Sequence, residues 1–162
     1  MKQTRKALFV VLSLGVLGIT LPAQAIDAYF YGTLVVPPPC VLNNNTDISV
    51  NFGNDLLAGR VNGSNYAQSI PYTLDCTGAP TTALKLQFQG TGADFDTSVL
   101  ETSKPDLGVE LRSNGVKLPM NTWFNFTDPA RPALTAVPVK ATGSTLTGGA
   151  FTAASTLLVD YQ

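Results

Sequence analysis

From residue 26 onward, short stretches in which apolar and polar residues alternate recur along the chain, and each reads as a β-strand with one buried face. In "DISVNF", residues 47–52, Ile48, Val50 and Phe52 alternate with polar neighbours. "SIPYTLDC" does the same at Ile70, Tyr72, Leu74 and Cys76, which puts the cysteine on the inward side. "ALKLQFQG" turns Leu84, Leu86 and Phe88 inward and Lys85, Gln87 and Gln89 outward. In "LGVELRSNGVKL" two apolar runs, carrying Val109 and Leu111 and then Val116 and Leu118, flank Ser113-Asn114-Gly115. An Asn-Gly pair between such runs is the strongest short hairpin signal. "ALTAVPVKAT" is a further strand, in which Pro138 points to an edge or a bulge. "AFTAASTLLVDYQ" sets Phe151, Ala153, Ser155, Leu157, Val159 and Tyr161 on one face. "LLAGRVNGSN" and "MNTWFNFTDPARP" read as Gly- or Pro-punctuated connections, with Trp123, Phe124 and Phe126 buried under the second.

Two alternating stretches, one at each end, lack an obvious partner. "IDAYFYGTLVVPPPC" alternates Ile26, Ala28, Phe30, Leu34 and Val36, with Gly32 in the remaining position. Pro37, Pro38 and Pro39 then cut it off, and proline cannot donate to a ladder. A seven-strand sandwich needs a last strand to close its core. Only about six strong candidates follow Cys40. A fold without its final strand exposes an apolar groove beside its last edge, and that groove invites aggregation unless filled. The detached strand is the right filler, and the proline hinge directs it to another subunit rather than back onto its own. Its residues 26–36 reach at most about 37 Å, enough to run the length of a sandwich. Four or five buried apolar side chains supply a gross ~6–15 kcal/mol before ordering costs.

Composition supports the all-β reading: charged residues are only 13% of the chain, with 14 glycines and 11 prolines. Residues 1–25 change the picture of the start. Lys2, Arg5 and Lys6 precede an apolar run and the small-residue site Ala23-Gln24-Ala25, a secretory signal peptide cleaved after Ala25. No second apolar run follows, so stable membrane insertion is not expected. The remaining residues 26–162 suffice for one domain and carry seven Lys/Arg against eleven Asp/Glu, a net −4. Without a basic patch to neutralise phosphates, nucleic acid is not an expected partner.

Candidate chemistry is sparse. The chain has no histidine, which excludes Ser-His-Asp and Cys-His nucleophilic arrangements. Cys40 and Cys76 lie too far apart for a CxxC redox motif and cannot alone make a zinc site, so in an exported chain they read as one disulfide. Asp94 and Asp96 lack the distal Glu of a calcium loop and read as solvated carboxylates. No glycine-rich run follows a strand and opens a helix as phosphate binding requires. No enzyme activity, cofactor or metal is expected.

Taken together, the signal peptide, "IDAYFYGTLVVPPPC", the distant Cys76, "VPVKATGSTLTGGAF" and the ending "VDYQ" resemble pilins of the chaperone–usher pathway, the type 1 and P pilus subunits of Gram-negative bacteria. The resemblance covers essentially the whole of residues 26–162. Gly149 stands fourteenth from the end and Tyr161 is penultimate, with alternating apolar residues between, as in the motif that the family's chaperones bind. The resemblance implies an incomplete immunoglobulin-like sandwich of about six strands over residues 40–162, preceded by a donor-strand extension over residues 26–39. It implies Ile26, Ala28, Phe30, Gly32 and Leu34 as the donor residues, with Gly32 at a pocket too shallow for a side chain. It also implies Cys40–Cys76 as the family disulfide. The chaperone-binding strand would comprise Gly149, Phe151, Ala153, Ser155, Leu157, Val159, Tyr161 and Gln162. The implied partners are a periplasmic chaperone, an outer-membrane usher and neighbouring subunits; the chain would pass through the periplasm into an extracellular fimbrium. "PPPCVLNNNTDISVNFGN" and the start of the extension at Ile26 are most like minor tip adaptors. The alternatives are a major rod pilin or a one-domain carbohydrate-binding adhesin.

Overall fold

The computed structural model describes residues 27–34 and 40–162. The expected signal peptide, Ile26 and the proline hinge lie outside the described residues. Contacts divide the chain into two units, Met1–Leu34 and Val35–Gln162. In the first unit residues 27–34 form no strand, and their apolar side chains face solvent, with Phe30 94% and Leu34 93% exposed.

The second unit is a β-structure of eleven strands among the described residues. They are β1 (Val41–Leu42), β2 (Gln68–Ser69), β3 (Leu74–Asp75), β4 (Ala83–Gln89), β5 (Gly92–Ala93), β6 (Asp96–Glu101), β7 (Leu107–Ser113), β8 (Val116–Leu118), β9 (Phe124–Thr127), β10 (Leu134–Lys140) and β11 (Thr156–Tyr161). Six of these have four residues or more, in line with the sandwich read from the sequence. The rest are two- or three-residue pairings at the margins.

One sheet runs β2-β10-β7-β6-β5, with β8 also on β7; the other runs β11-β4-β9, and β1 pairs with β3 apart from both. Every strand pair is antiparallel. Their inner faces share one core, built from Phe88 of β4, Leu100 of β6, Val109 and Leu111 of β7, Leu134 and Ala136 of β10, and Ile70 and Met120 from connections. Period-two alternation places these residues. On β4, Leu84, Leu86 and Phe88 are buried, as expected.

The β7–β8 hairpin also forms as expected. Asn114 (φ 49°) and Gly115 (φ 82°) occupy its two-residue turn, the positive-φ pair that matches strand twist. Pro138 sits inside β10 opposite Val109, and its ring is fully buried. Leu134 points its carbonyl at the Ile70 N–H on the β2 side (2.9 Å). Two-residue alternation aims the Pro138 nitrogen the same way, beyond the last β2 pairing at Ala136. The donor that proline lacks therefore falls on a locally unpaired edge.

Four expectations are corrected at this level. "SIPYTLDC" is not one strand: β2 joins the large sheet, β3 pairs with β1, and Pro71 lies in the switch between them. Its alternation survives, with Ile70 and Leu74 buried and Tyr72 and Cys76 half-buried. "MNTWFNFTDPARP" is not wholly a connection, because β9 lies inside it and pairs with β4. Trp123 is not buried under that segment; it stays 38% exposed, beneath the Lys85 ammonium at 5.1 Å. Finally, only Thr156–Tyr161 of the final stretch is a strand, and Ala153 and Ser155 are exposed.

Candidate strand-accepting site

Among the described residues, the final strand is laddered on one side only. β11 pairs with β4 from Thr156↔Gln89 to Tyr161↔Leu84 and, among the described residues, with no strand on its other side. Leu157, Val159 and Tyr161 share the inner face with the β4 leucines but remain half-buried, whereas Leu84 and Leu86 are fully enclosed. Past the strand, the Gln162 N–H reaches the Ala83 carbonyl (3.1 Å), and its side-chain amide donates to the carbonyls of Leu84 (2.7 Å) and Phe126 (3.1 Å). That amide fastens the end of β11 across β4 and β9, a role the sequence pattern did not show.

On the outer face Lys85 joins Asp160 at 3.1 Å. The lysine, followed by the Tyr161 N–H, holds the Asp160 carboxyl below its usual range. The pair is solvent-exposed and screened, so it aligns the register more than it stabilises the fold.

Across from β11 runs the stretch 47–52. Ile48, Val50 and Phe52 are half-buried against the common core while Asp47, Ser49 and Asn51 are exposed, so the expected alternation is present. The expected strand is not: the stretch has no ladder among the described residues. The chain on either side of this stretch and the segment that ends in β11 approach at both ends. The Phe52 and Phe151 rings lie 5.8 Å apart, and the Tyr161 hydroxyl lies 4.0 Å from Cys40 Sγ. Residues 40–52 and 151–161 therefore lie alongside in opposite chain directions, and no ladder joins β11 to the stretch 47–52. Unpaired strand edges over a half-covered apolar floor are what an added strand satisfies, through main-chain hydrogen bonds and side chains dropped into the floor.

The disulfide fixes one end of this seam. Cys40 and Cys76 are bonded, beside the β1–β3 pairing. Closing a loop of 36 residues contributes about 4 kcal/mol in the chain-entropy account. At the other end Gly149 has φ +116°, a conformation that L side chains rarely adopt. Of the donor residues read from the sequence, Ala28, Phe30, Gly32 and Leu34 are described and exposed, and a Cβ added at Gly32 would meet open space.

Residues 28–162 match the model of the family described as Fimbrial protein. The chain belongs to that family. This fimbrial subunit is 38% identical over 142 residues to the fimbrial-like protein YfcQ of Escherichia coli (strain K12), a match spanning 84% of this chain and 87% of YfcQ. Its fold is shared with two solved pilus subunits. The P pilus adaptor subunit PapF gives a TM-score of 0.59 at 24% identity, covering 78% of this chain and 98% of PapF. The P pilus rod subunit PapA gives 0.59 at 22%, covering 83% and 100%. An adaptor and a rod subunit match equally, so the fold is common to both positions. The all-β pilin sandwich and the fimbrial family read from the sequence are thereby borne out.

Proposed function

We propose that this fimbrial subunit is polymerised by donor-strand exchange: residues 26–36 of one copy or of a related subunit fill the seam between β11 and residues 47–52 of the next. The observation that carries the reading is that seam, two facing segments with half-buried apolar side chains and no ladder between them. The donor carries Ile26, Ala28, Phe30 and Leu34 at the two-residue spacing a strand-shaped groove accepts, with Gly32 where only backbone fits. Before exchange, a periplasmic chaperone covers the seam along the segment from Gly149 to Gln162, and an outer-membrane usher passes the subunit on. The role is structural, and the subunit acts as a minor tip adaptor, consistent with "PPC" and "FGN" around Cys40 and Phe52.

The test is expression of the chain lacking residues 26–36, read by electron microscopy of surface fibres and immunolabelling of this subunit. The truncated subunit should accumulate in the periplasm and be absent from fibres, while rods still form. Its entry into fibres as a bridge between neighbours overturns the donor-strand reading; loss of the whole shaft assigns it to the rod instead.

A further inference from the structure

One wall of the seam is set by a turn that belongs to neither of its strands. Between residues 141 and 155 the chain has no strand, yet this segment carries Phe151, the aromatic side chain at one end of the seam. Its ties to the sandwich converge on Ser103 and Lys104, in the turn between β6 and β7. The Ser103 N–H donates to the Thr152 carbonyl (2.8 Å), and the Thr152 N–H donates to Ser103 Oγ (3.0 Å). Lys104 Nζ donates to the Gly148 carbonyl (2.8 Å) and lies 3.4 Å from Thr147 Oγ1. The turn is itself rigid: buried Thr102 accepts the Lys104 N–H (3.1 Å) and donates to the Leu107 carbonyl (2.8 Å).

The geometry points to Ser103 and Lys104 as positioning residues for strand uptake. They hold the segment 147–152 beside the seam, so that its Phe151 end is already ordered when a donor strand arrives. A segment without a ladder of its own must otherwise be ordered during uptake, at about 1–2 kcal/mol of backbone entropy per residue. Lys104 fixes Thr147 and Gly148, the two residues before Gly149, whose positive φ turns the chain at that point. The Lys104 contacts lie outside the apolar core, so their loss should act on the rate of uptake rather than on the filled fold. This inference rests on the donor-strand reading and names the residues that set its speed.

The experiment mixes the oxidised chain from residue 26 onward with a fluorescent peptide of residues 26–36 and follows capture by anisotropy. Wild type, Lys104→Ala, Lys104→Arg and Ser103→Ala are compared, together with the melting temperature of each peptide-filled form. Loss of one such hydrogen-bonding group should slow capture roughly three- to tenfold, with Lys104→Arg restoring most of the rate and the filled forms melting alike. Capture by Lys104→Ala and Ser103→Ala at the wild-type rate overturns the positioning role while leaving the donor-strand reading intact. Absence of capture by wild type overturns both.

Discussion

The two sheets of this sandwich are built from the same alternating pattern but finished differently. In the large sheet β7 is flanked by β10 on one side and by β6 and then β8 on the other, and its apolar residues Leu107, Val109 and Leu111 are buried. In the smaller sheet β4 is equally enclosed, between β11 and β9, but its neighbour β11 is an edge, and Leu157 and Val159 on that edge are only half covered. The difference lies in the count of strands rather than in the chemistry of the residues. Strands on both sides of its own help to enclose an apolar side chain, and β11, with a ladder on one side among the described residues, has less of that cover than β4.

The largest expected effect separates enclosed from edge positions. Leu86→Ala, at a site with no exposed surface, should cost about 2–5 kcal/mol. Leu157→Ala, at the half-buried edge, should cost roughly half as much, about 1–2 kcal/mol. Urea unfolding of the oxidised chain measures both, and equal losses would mean that the seam is already closed. Adding the peptide of residues 26–36 should bring the Leu157 loss closer to that of Leu86.

Glycines at the two regions give a middle-sized contrast. Gly115 turns the closed β7–β8 hairpin at φ +82°, and an added Cβ there meets nothing within 4 Å, so Gly115→Ala should cost only the backbone strain, about 1 kcal/mol. Gly149, at φ +116°, lies further from any conformation alanine tolerates, and Gly149→Ala should cost more, about 1–3 kcal/mol. Thermal melts rank the two; the reverse order would show that the segment before β11 relaxes freely.

The smallest effect is electrostatic. On the closed sheet the Ser98 hydroxyl, followed by the Lys117 ammonium at 2.9 Å, lowers the Asp96 carboxyl to about 2. Its folded value lies below its unfolded one, so the contribution is present above about pH 4 and lost as pH falls toward about 2. Asp96→Asn should flatten the fall of the urea midpoint across that window, modestly, because the site is partly exposed. An unchanged slope would place the acid sensitivity elsewhere, with Asp160 on the open sheet, shifted in the same direction by Lys85, as the next candidate.

Which face of each stretch is buried could be read directly from residue order, because period-two alternation is a local property of the chain. Leu84, Leu86 and Phe88, the Asn114-Gly115 turn, and even Ile48, Val50 and Phe52 have the burial their spacing predicts. Partners could not be read in the same way, since a ladder depends on residues far away in sequence. Alternation in 47–52 looks the same whether or not a neighbour is present, and "SIPYTLDC" gives no local sign that its halves join different sheets. β9 was hidden because two alternating phenylalanines, Phe124 and Phe126, lie in a short run between turn residues. The positions of Ser103 and Lys104 beside Gly148 and Thr152, and of Gln162 across β4 and β9, are consequences of packing alone. Sequence by itself therefore determined the inward and outward faces of the strand interiors, whereas of the two end stretches without an obvious partner the last is laddered to β4 and residues 27–34 form no strand. Only the tertiary structure decided which edges remained unpaired, because hydrogen-bond pairing is satisfied across space, by segments whose meeting no local spacing records.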